Sequence, residues 1–171
     1  MKHFCKAASL LLILVVFVLY LPLTLPRIFG YECSSVVSAS MEPAIQMGGL
    51  VYYTKCDPAA LNAGDIIVFR TSYGTGVSDI THRVVANNRA EETVTTKGDA
   101  NGNNDFAPIR YDLIKGKVAK ALPFGGELAL RLTAQSGKRA MACLLIPAVL
   151  LHFAAQSVDE RKTSKSAGTQ Y

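Results

Sequence analysis

The first apolar run of the chain extends from about Ala7 to Leu25 and has basic residues on both sides. At about 1.5 Å per residue in a helix, its length matches the thickness of a bilayer. A cleavable signal peptide is the alternative, but such a peptide has a shorter apolar region that is followed by small residues. Here the bulky side chains of Ile28 and Phe29 follow instead. The pattern therefore predicts an uncleaved transmembrane anchor.

The second apolar run, roughly Ala140 to Ala155, is less uniform because it contains Pro147 and His152. It is also short for a membrane span, which needs about 20 apolar residues. We predict a second transmembrane helix here, and the alternative is a helix that is buried or lies on the membrane surface. Beyond it, the polar residues 157–171 are predicted to form a disordered tail.

Between the two runs, short segments rich in Val, Ile, Tyr, Phe and Thr alternate with turn residues, and no helical period is sustained. This pattern predicts an all-β, antiparallel domain. The predicted strands are Leu50–Thr54, Ile66–Arg70, Ile80–Ala86, Thr93–Lys97 and Leu113–Ala121. The unbroken apolar run Ile66–Phe69 indicates burial on both faces, and Asn87-Asn88 is predicted to be a turn. A short helix, Glu127–Ala134, is expected after the sheet.

These elements divide the chain into four segments. Residues 1–28 are predicted to be a cytoplasmic N-terminus and a transmembrane anchor, and residues 29–126 an extracytoplasmic β domain. Residues 127–156 hold the short helix and the second apolar run, and residues 157–171 form the tail. The orientation follows from the basic residues before the first run, because such residues favour the cytoplasmic side of a membrane.

Composition narrows the possible functions. The 171 residues carry a net charge of +5, which is dispersed and forms no basic stripe interleaved with aromatic residues. Nucleic acid is therefore not expected as a partner. The four cysteines show no CxxC or zinc-binding spacing. Cys33 and Cys56 lie in the predicted β domain, where the sequence allows either a disulfide bond or two free thiols.

Candidate chemistry begins at the stretch Ser38–Pro43. A serine nucleophile needs an exposed hydroxyl on a turn, hydrogen-bond donors for an oxyanion, and a base supplied by another segment. Ser40 meets the first requirement, since Met41 offers an apolar contact beside it and Pro43 restricts the backbone after it. Serine-rich turns that end in proline are common, so this stretch alone does not assign a function.

Three downstream segments give Ser40 a context. They are Gly64–Phe69 with the letters GDIIVF, Thr81–Val85 with THRVV, and Lys97–Asn101 with KGDAN. In this order they closely resemble the characteristic boxes of type I signal peptidases. The resemblance is to the ER and archaeal branch, found also in some Gram-positive bacteria, which uses a histidine base where ordinary bacterial enzymes use lysine. It covers about Ser35 to Pro123.

His82 is the candidate base. The other two histidines lie before the first apolar run and inside the second, and imidazole can accept a proton at physiological pH. A lone histidine in a strand is more often a hydrogen-bonded structural residue, and it is the resemblance at Thr81–Val85 that favours catalysis. The resemblance implies that Ser40 attacks the substrate and that His82 takes its proton.

Two carboxylates, Asp99 and Asp105, lie on one loop rich in glycine and asparagine. By position, the resemblance implies that Asp105 orients His82 and completes a Ser–His–Asp triad. Asp99 is then a supporting carboxylate, which could anchor Lys97 or Arg83.

The same loop offers an alternative function in calcium binding. Asp99, Asn101 and Asn103 match the first alternating ligands of a calcium loop. The match then fails, because Asn104 and Arg110 stand where an EF-hand needs glycine and glutamate. This mismatch disfavours calcium binding. The resemblance to signal peptidases implies that neither a metal nor an organic cofactor is required.

For the oxyanion, the resemblance implies the backbone N–H of Ser40 and the hydroxyl of Ser38. The alternative for Ser38 is an ordinary turn residue. Ala39 departs from the commonest pattern, in which glycine stands at this position.

The resemblance implies a membrane-bound serine endopeptidase that cleaves N-terminal signal peptides from exported preproteins after small residues. Its expected partners are preprotein signal peptides and the lipid bilayer, with translocon or accessory subunits as further candidates. The expected location is the plasma membrane of a bacterium or archaeon rather than the ER membrane. The alternative is a non-enzymatic, membrane-anchored β domain used in assembly or adhesion, which predicts that Ser40, His82 and Asp105 are scattered in the fold.

Overall fold

The computed structural model of the chain describes residues 2–73 and 76–167. It contains two compact units, one formed by Leu25–Arg131 and the other by the described parts of Met1–Thr24 and Leu132–Tyr171. The helices are α1 (Lys2–Ile28), α2 (Gly126–Thr133) and α3 (Gln135–Ala167). The strands are β1 (Tyr31–Ser35), β2 (Leu50–Thr54), β3 (Ile66–Tyr73), β4 (Gly76–Asn88), β5 (Thr93–Lys97), β6 (Ile109–Arg110) and β7 (Ile114–Leu122).

The strands form one seven-stranded sheet in the order β1-β2-β7-β3-β4-β5-β6. Each pair of neighbours is antiparallel. The predicted antiparallel β domain is therefore confirmed. The pairing of β3 with β4 sets Ile67 opposite His82, which places the candidate base within the sheet rather than on a loop.

Both faces of β3 are covered. Val68 belongs to a buried cluster that contains Met41 on one face of the sheet. Ile67 and Phe69 belong to a second cluster, which contains Val84. The expected burial of this strand on both faces is confirmed, and the two clusters fix the segments on which Ser40 and His82 lie.

The structure contains two strands that the apolar pattern did not predict, β1 and β6. The predicted turn at Asn87-Asn88 is wrong, because β4 continues through Asn88 and the chain turns at residues 89–92. The side-chain amide of Asn87 donates to two backbone carbonyl groups, each at 2.9 Å. Its oxygen accepts from the Tyr111 hydroxyl at 2.6 Å. Asn87 therefore satisfies polar groups between elements instead of forming a turn.

The two cysteines of the β domain are free thiols. Burial is the main cause that raises the pKa of Cys33 and also that of Cys56 above the ordinary value. A raised pKa disfavours the reactive thiolate. Of the two possibilities that the sequence allowed, the structure has the unpaired one.

Among the described residues, one helical segment is long and apolar enough to cross a membrane. It is Ala7–Ile28, with 22 residues. In the helical unit, the Tyr20 hydroxyl on α1 donates to the carbonyl of Leu132, near the end of α2, at 3.0 Å. Ser9 Oγ also lies 3.3 Å from His152 Nδ1. That α3 spans a membrane stays a prediction.

The end of α3 differs from the expected disordered tail. The helix continues to Ala167, and the rest of the predicted tail, residues 168–171, lies outside the described residues. Residues 157–167 contain neither proline nor glycine and include several good helix formers. A polar segment of this composition can therefore extend a helix that has already begun.

Candidate active site

Ser40 begins a turn at residues 40–44, in the connection between β1 and β2. The turn is closed by the N–H of Glu42, which donates to the carbonyl of Ala39 at 3.1 Å. Met41 is 1% exposed and belongs to the core. Because Met41 points into the core, its neighbour Ser40 is held half-buried at the surface of the domain.

The loop after β5 packs against the backbone of Ser40. The N–H of Ala100 donates to the Ser40 carbonyl at 2.9 Å. A Cβ at Gly98 would lie 2.6 Å from the same carbonyl oxygen, closer than such atoms can approach. Glycine is therefore required for this contact, which fixes the main chain of the candidate nucleophile.

Ser40, His82 and Asp105 are brought together. His82 is 7% exposed, its Nε2 lies 3.1 Å from Ser40 Oγ, and its Nδ1 lies 2.6 Å from Asp105 Oδ2. An ionised carboxylate can only accept a hydrogen bond, so Nδ1 is the donor. In the neutral ring Nε2 then carries a lone pair and can accept the Ser40 proton. The Phe69 ring packs edge-on against the imidazole, with centroids 6.1 Å apart.

Asp105 has a second partner, Thr96, which sequence reasoning did not find. The Thr96 hydroxyl donates to Asp105 Oδ2 at 2.5 Å. The N–H of Asp105 donates to the Thr96 carbonyl at 2.8 Å. Thr96 is 0% exposed. A threonine in a strand matches β propensity and carries no further signal, so the sequence could not have singled it out.

Asp99 lies on the same loop but has a different partner. Its two carboxylate oxygens accept from Nε and Nη2 of Arg83 at 2.8 and 2.6 Å. These hydrogen bonds hold the pKa of Asp99 below its ordinary value of 3.8, and Asp99 raises the pKa of Arg83. Nη1 of Arg83 also donates to the Gly64 carbonyl at 2.8 Å. Arg83 thus joins the Asp99 loop, β4 and the turn before β3.

Ser38 lies beside Ser40, with 3.1 Å between the two Oγ atoms. Both residues face a cleft of about 300 Å³. The residues that line the cleft are Ser35, Val36, Val37, Ser38, Ser40, Met41, Ser78, Asp79, Ile80, Thr81, His82, Asn101 and Asp105.

One wall of this cleft is an open sheet edge. In the described part of the sheet, β5 pairs with β4 only from Arg83 onward. The N–H of Val84 donates to the Asp65 carbonyl, and the Val84 carbonyl accepts from the Gly64 N–H. Both partners precede β3, so the backbone groups of Val84 point toward that side of the strand. Backbone groups alternate in direction along a strand, so those of Thr81 and Asp79 point the other way, into the cleft. An extended peptide could pair with them.

Among the residues that the structure describes, no three His, Cys, Asp or Glu side chains are grouped in a way that could hold a metal ion.

No protein-family model matches the chain. The chain is 32% identical over 126 residues to signal peptidase I W of Bacillus subtilis (strain 168). The match includes 66% of this chain and 65% of that protein, so the chain spans just under two thirds of its relative. This similarity supports the signal peptidase I family and does not favour a non-enzymatic assembly or adhesion module.

Proposed function

We propose that this chain is a membrane-anchored serine endopeptidase that removes N-terminal signal peptides from preproteins after translocation. The observation that carries the proposal is the hydrogen-bonded series from Ser40 Oγ through the His82 ring to Asp105 Oδ2, with distances of 3.1 and 2.6 Å. The similarity to a signal peptidase I supplies the substrate class.

In the proposed reaction, Ser40 Oγ attacks the carbonyl carbon of the scissile peptide bond while His82 Nε2 accepts the hydroxyl proton. Asp105 keeps the Nδ1–H bond and stabilises the imidazolium that forms. His82 then gives the proton to the leaving amine, and an ester forms between Ser40 and the signal peptide. Water, activated by His82 in the same way, hydrolyses that ester and frees Ser40.

The oxyanion is proposed to accept hydrogen bonds from the Ser40 N–H and from the Ser38 hydroxyl. The 3.1 Å between the two serine Oγ atoms places the Ser38 hydroxyl next to the reacting centre. Such donors stabilise charge that develops only in the transition state.

The substrate is proposed to bind as an extended strand along the open edge of β4, with its backbone facing Thr81 and Asp79. A cleft of about 300 Å³ lies at the lower end of the volumes of small-ligand sites. Small side chains next to the scissile bond suit a cleft of this size, in keeping with the expected cleavage after small residues.

The use of His82 as the base favours the ER and archaeal branch of the family, in which the catalytic type is Ser–His–Asp. Arg83 donates to both carboxylate oxygens of Asp99, at 2.8 and 2.6 Å, so each of these oxygens already has a partner other than His82. Asp99 is therefore proposed as a supporting residue rather than as the orienter of His82.

Membrane attachment is proposed to involve α1 as the anchor and α3 as a second span. The distance of 3.3 Å between Ser9 Oγ on α1 and His152 Nδ1 on α3 supports placing both helices in the same membrane. We place the N-terminus in the cytoplasm and the β domain outside it, at the plasma membrane of a bacterium or archaeon. Preprotein signal peptides are the proposed partners, with a translocon or accessory subunits as neighbours at that membrane.

The test is incubation of the detergent-purified full chain with a preprotein, followed by mass analysis of the products. The wild type is expected to release a mature protein cut after a small residue, and Ser40→Ala is expected to release none. Ser34→Ala, a serine on β1 outside the cleft, is the matched control and should cleave like the wild type. Equal cleavage by the wild type and Ser40→Ala would rule out Ser40 as the nucleophile.

A further inference from the structure

Thr96 is a fully buried polar residue, with 0% exposure, and it touches the triad without lining the cleft. Its hydroxyl donates to Asp105 Oδ2 at 2.5 Å, and the same oxygen accepts from His82 Nδ1 at 2.6 Å. We propose that Thr96 is a positioning residue for the cleavage reaction, which holds the Asp105 carboxylate in the orientation that aligns His82. This inference rests on the proposed function.

The need for such a residue follows from where Asp105 lies. It belongs to a loop between β5 and β6 that has no regular secondary structure. The bond from the Asp105 N–H to the Thr96 carbonyl, at 2.8 Å, fixes the main chain. It leaves the carboxylate free to turn about its side-chain bonds, and the Thr96 hydroxyl removes that freedom.

Thr96 is itself held by the sheet. It pairs with Val84, two residues after His82 on the neighbouring strand. The side chain of threonine is branched at Cβ, which restricts its rotation about χ1. Two paired strands, β4 and β5, therefore present His82 and Thr96 to the same carboxylate oxygen at fixed positions.

The hydrogen bond has a consequence for the His82 ring. A buried hydroxyl needs an acceptor, and because the acceptor here is Asp105 Oδ2, the hydroxyl fixes the direction in which the carboxylate points. A carboxylate held in this direction accepts the hydrogen bond from His82 Nδ1–H and so leaves the Nε2 lone pair facing Ser40. Without the hydroxyl, Asp105 can turn away and His82 loses its alignment, while the cleft that binds the peptide is unchanged.

The test compares Thr96→Val, which removes the hydroxyl at nearly constant volume, with Thr96→Ser, which keeps it. The substrate is an internally quenched peptide with alanine at the −1 and −3 positions relative to the cleaved bond. Thr96→Val is expected to lower kcat by about 10- to 100-fold, the value of a hydrogen bond to a charged group, with KM unchanged. Thr96→Ser should restore most of the rate. If Thr96→Val does not fold, Thr96→Ala carries the same prediction.

Val94→Ala is the matched control, because Val94 is buried on the same face of β5 two residues away. It should lower the melting temperature and leave kcat unchanged. A fall in kcat for Val94→Ala equal to that for Thr96→Val would mean that any loosening of β5 slows the reaction, which overturns the specific role of Thr96.

A second comparison places Thr96→Val in an Asp105→Ala background. If Thr96 acts through Asp105, the double variant should be no slower than Asp105→Ala alone. Multiplied losses would overturn the inference, as would a wild-type kcat for Thr96→Val in an enzyme that needs Ser40. If the wild type does not cleave, or if Ser40→Ala cleaves equally well, it is the proposed function that fails.

Discussion

Replacement of Asp105 by asparagine tests the proposed orienter at almost constant shape. Asp105 Oδ2 accepts from His82 Nδ1 at 2.6 Å. An asparagine amide at this place can donate to Nδ1, which moves the ring proton to Nε2, where it faces Ser40 Oγ at 3.1 Å. That tautomer cannot take the serine proton. The expected loss in kcat is up to about 10⁴-fold, as for wrong-tautomer substitutions in other triads, and stability should barely change.

Asp99→Asn is the matched comparison on the same loop. It removes one charge from the pair with Arg83, whose side chain is 35% exposed while that of Asp99 is 17% exposed. Partial exposure weakens such a pair, so the expected cost in unfolding free energy is about 1–2 kcal/mol. For a domain of this size that corresponds to a fall in Tm of several degrees. Some activity should also be lost, because the loop is less well fixed.

The pH dependence of stability separates the two aspartates further. The hydrogen bonds from Arg83 hold the pKa of Asp99 below 3.8. A carboxyl group with a depressed pKa in the folded state contributes stability above its unfolded pKa and loses it as the pH falls through the folded value. The wild type should therefore lose this contribution below about pH 4. In Asp99→Asn that part of the acid dependence should be missing, as measured by urea unfolding at several pH values.

The assay measures kcat on the quenched peptide and Tm by circular dichroism for both variants. Asp105→Asn should be inactive with a wild-type Tm, and Asp99→Asn should have a lowered Tm with residual activity. The reasoning is refuted if Asp105→Asn is close to the wild type in rate while Asp99→Asn is folded, thermally unchanged and inactive. Asp99 would then be the orienting carboxylate.

Two further predictions concern the nucleophile and the base. Gly98→Ala places a Cβ 2.6 Å from the Ser40 carbonyl oxygen, so the shifted serine should lower kcat by about 10²-fold. Gly102→Ala on the same loop meets nothing within 4 Å and should keep its rate; equal effects of the two would contradict the proposed contact. Cleavage should also slow on acidification, because a protonated His82 cannot accept the serine proton. A cleavage rate that does not fall as the pH is lowered would argue for another base.

The sequence is sufficient to predict the strands in regions where apolar segments and turn residues alternate clearly. The predicted bounds of β2 and β5 agree with the structure, and those of β7 differ by one residue at each end. β1 was missed because its residues, YECSS, are mostly polar and its place depends on pairing with β2. β6 has two residues, too few for any pattern. The sequence predicts a turn at Asn87 because asparagine is common in turns. Its hydrogen bond with Tyr111 joins residues far apart in the sequence, so no local pattern indicates it.

The site shows the same division. The order of the motifs and the family resemblance that it carries point to Ser40 and His82 and, on one loop, to both aspartates. The sequence allows either Lys97 or Arg83 as the partner of Asp99, and in the structure the Asp99 carboxylate accepts hydrogen bonds from Arg83. Thr96 lay outside every motif, because its role depends on a loop folding back across β5. Contacts made by tertiary folding of this kind cannot be derived from local pattern.

The central claim is that Ser40 and His82 act as one unit, and double-variant kinetics test it most directly. The measurement is the rate of peptide cleavage by Ser40→Ala, by His82→Ala and by the variant that carries both. Residues that act as a unit give strongly non-additive losses, so we expect each single change to lower the rate by about 10⁴-fold or more and the double variant to be no slower. Losses that multiply, or a His82→Ala enzyme that keeps more than about a tenth of the wild-type rate, far above that expected loss, would contradict the claim.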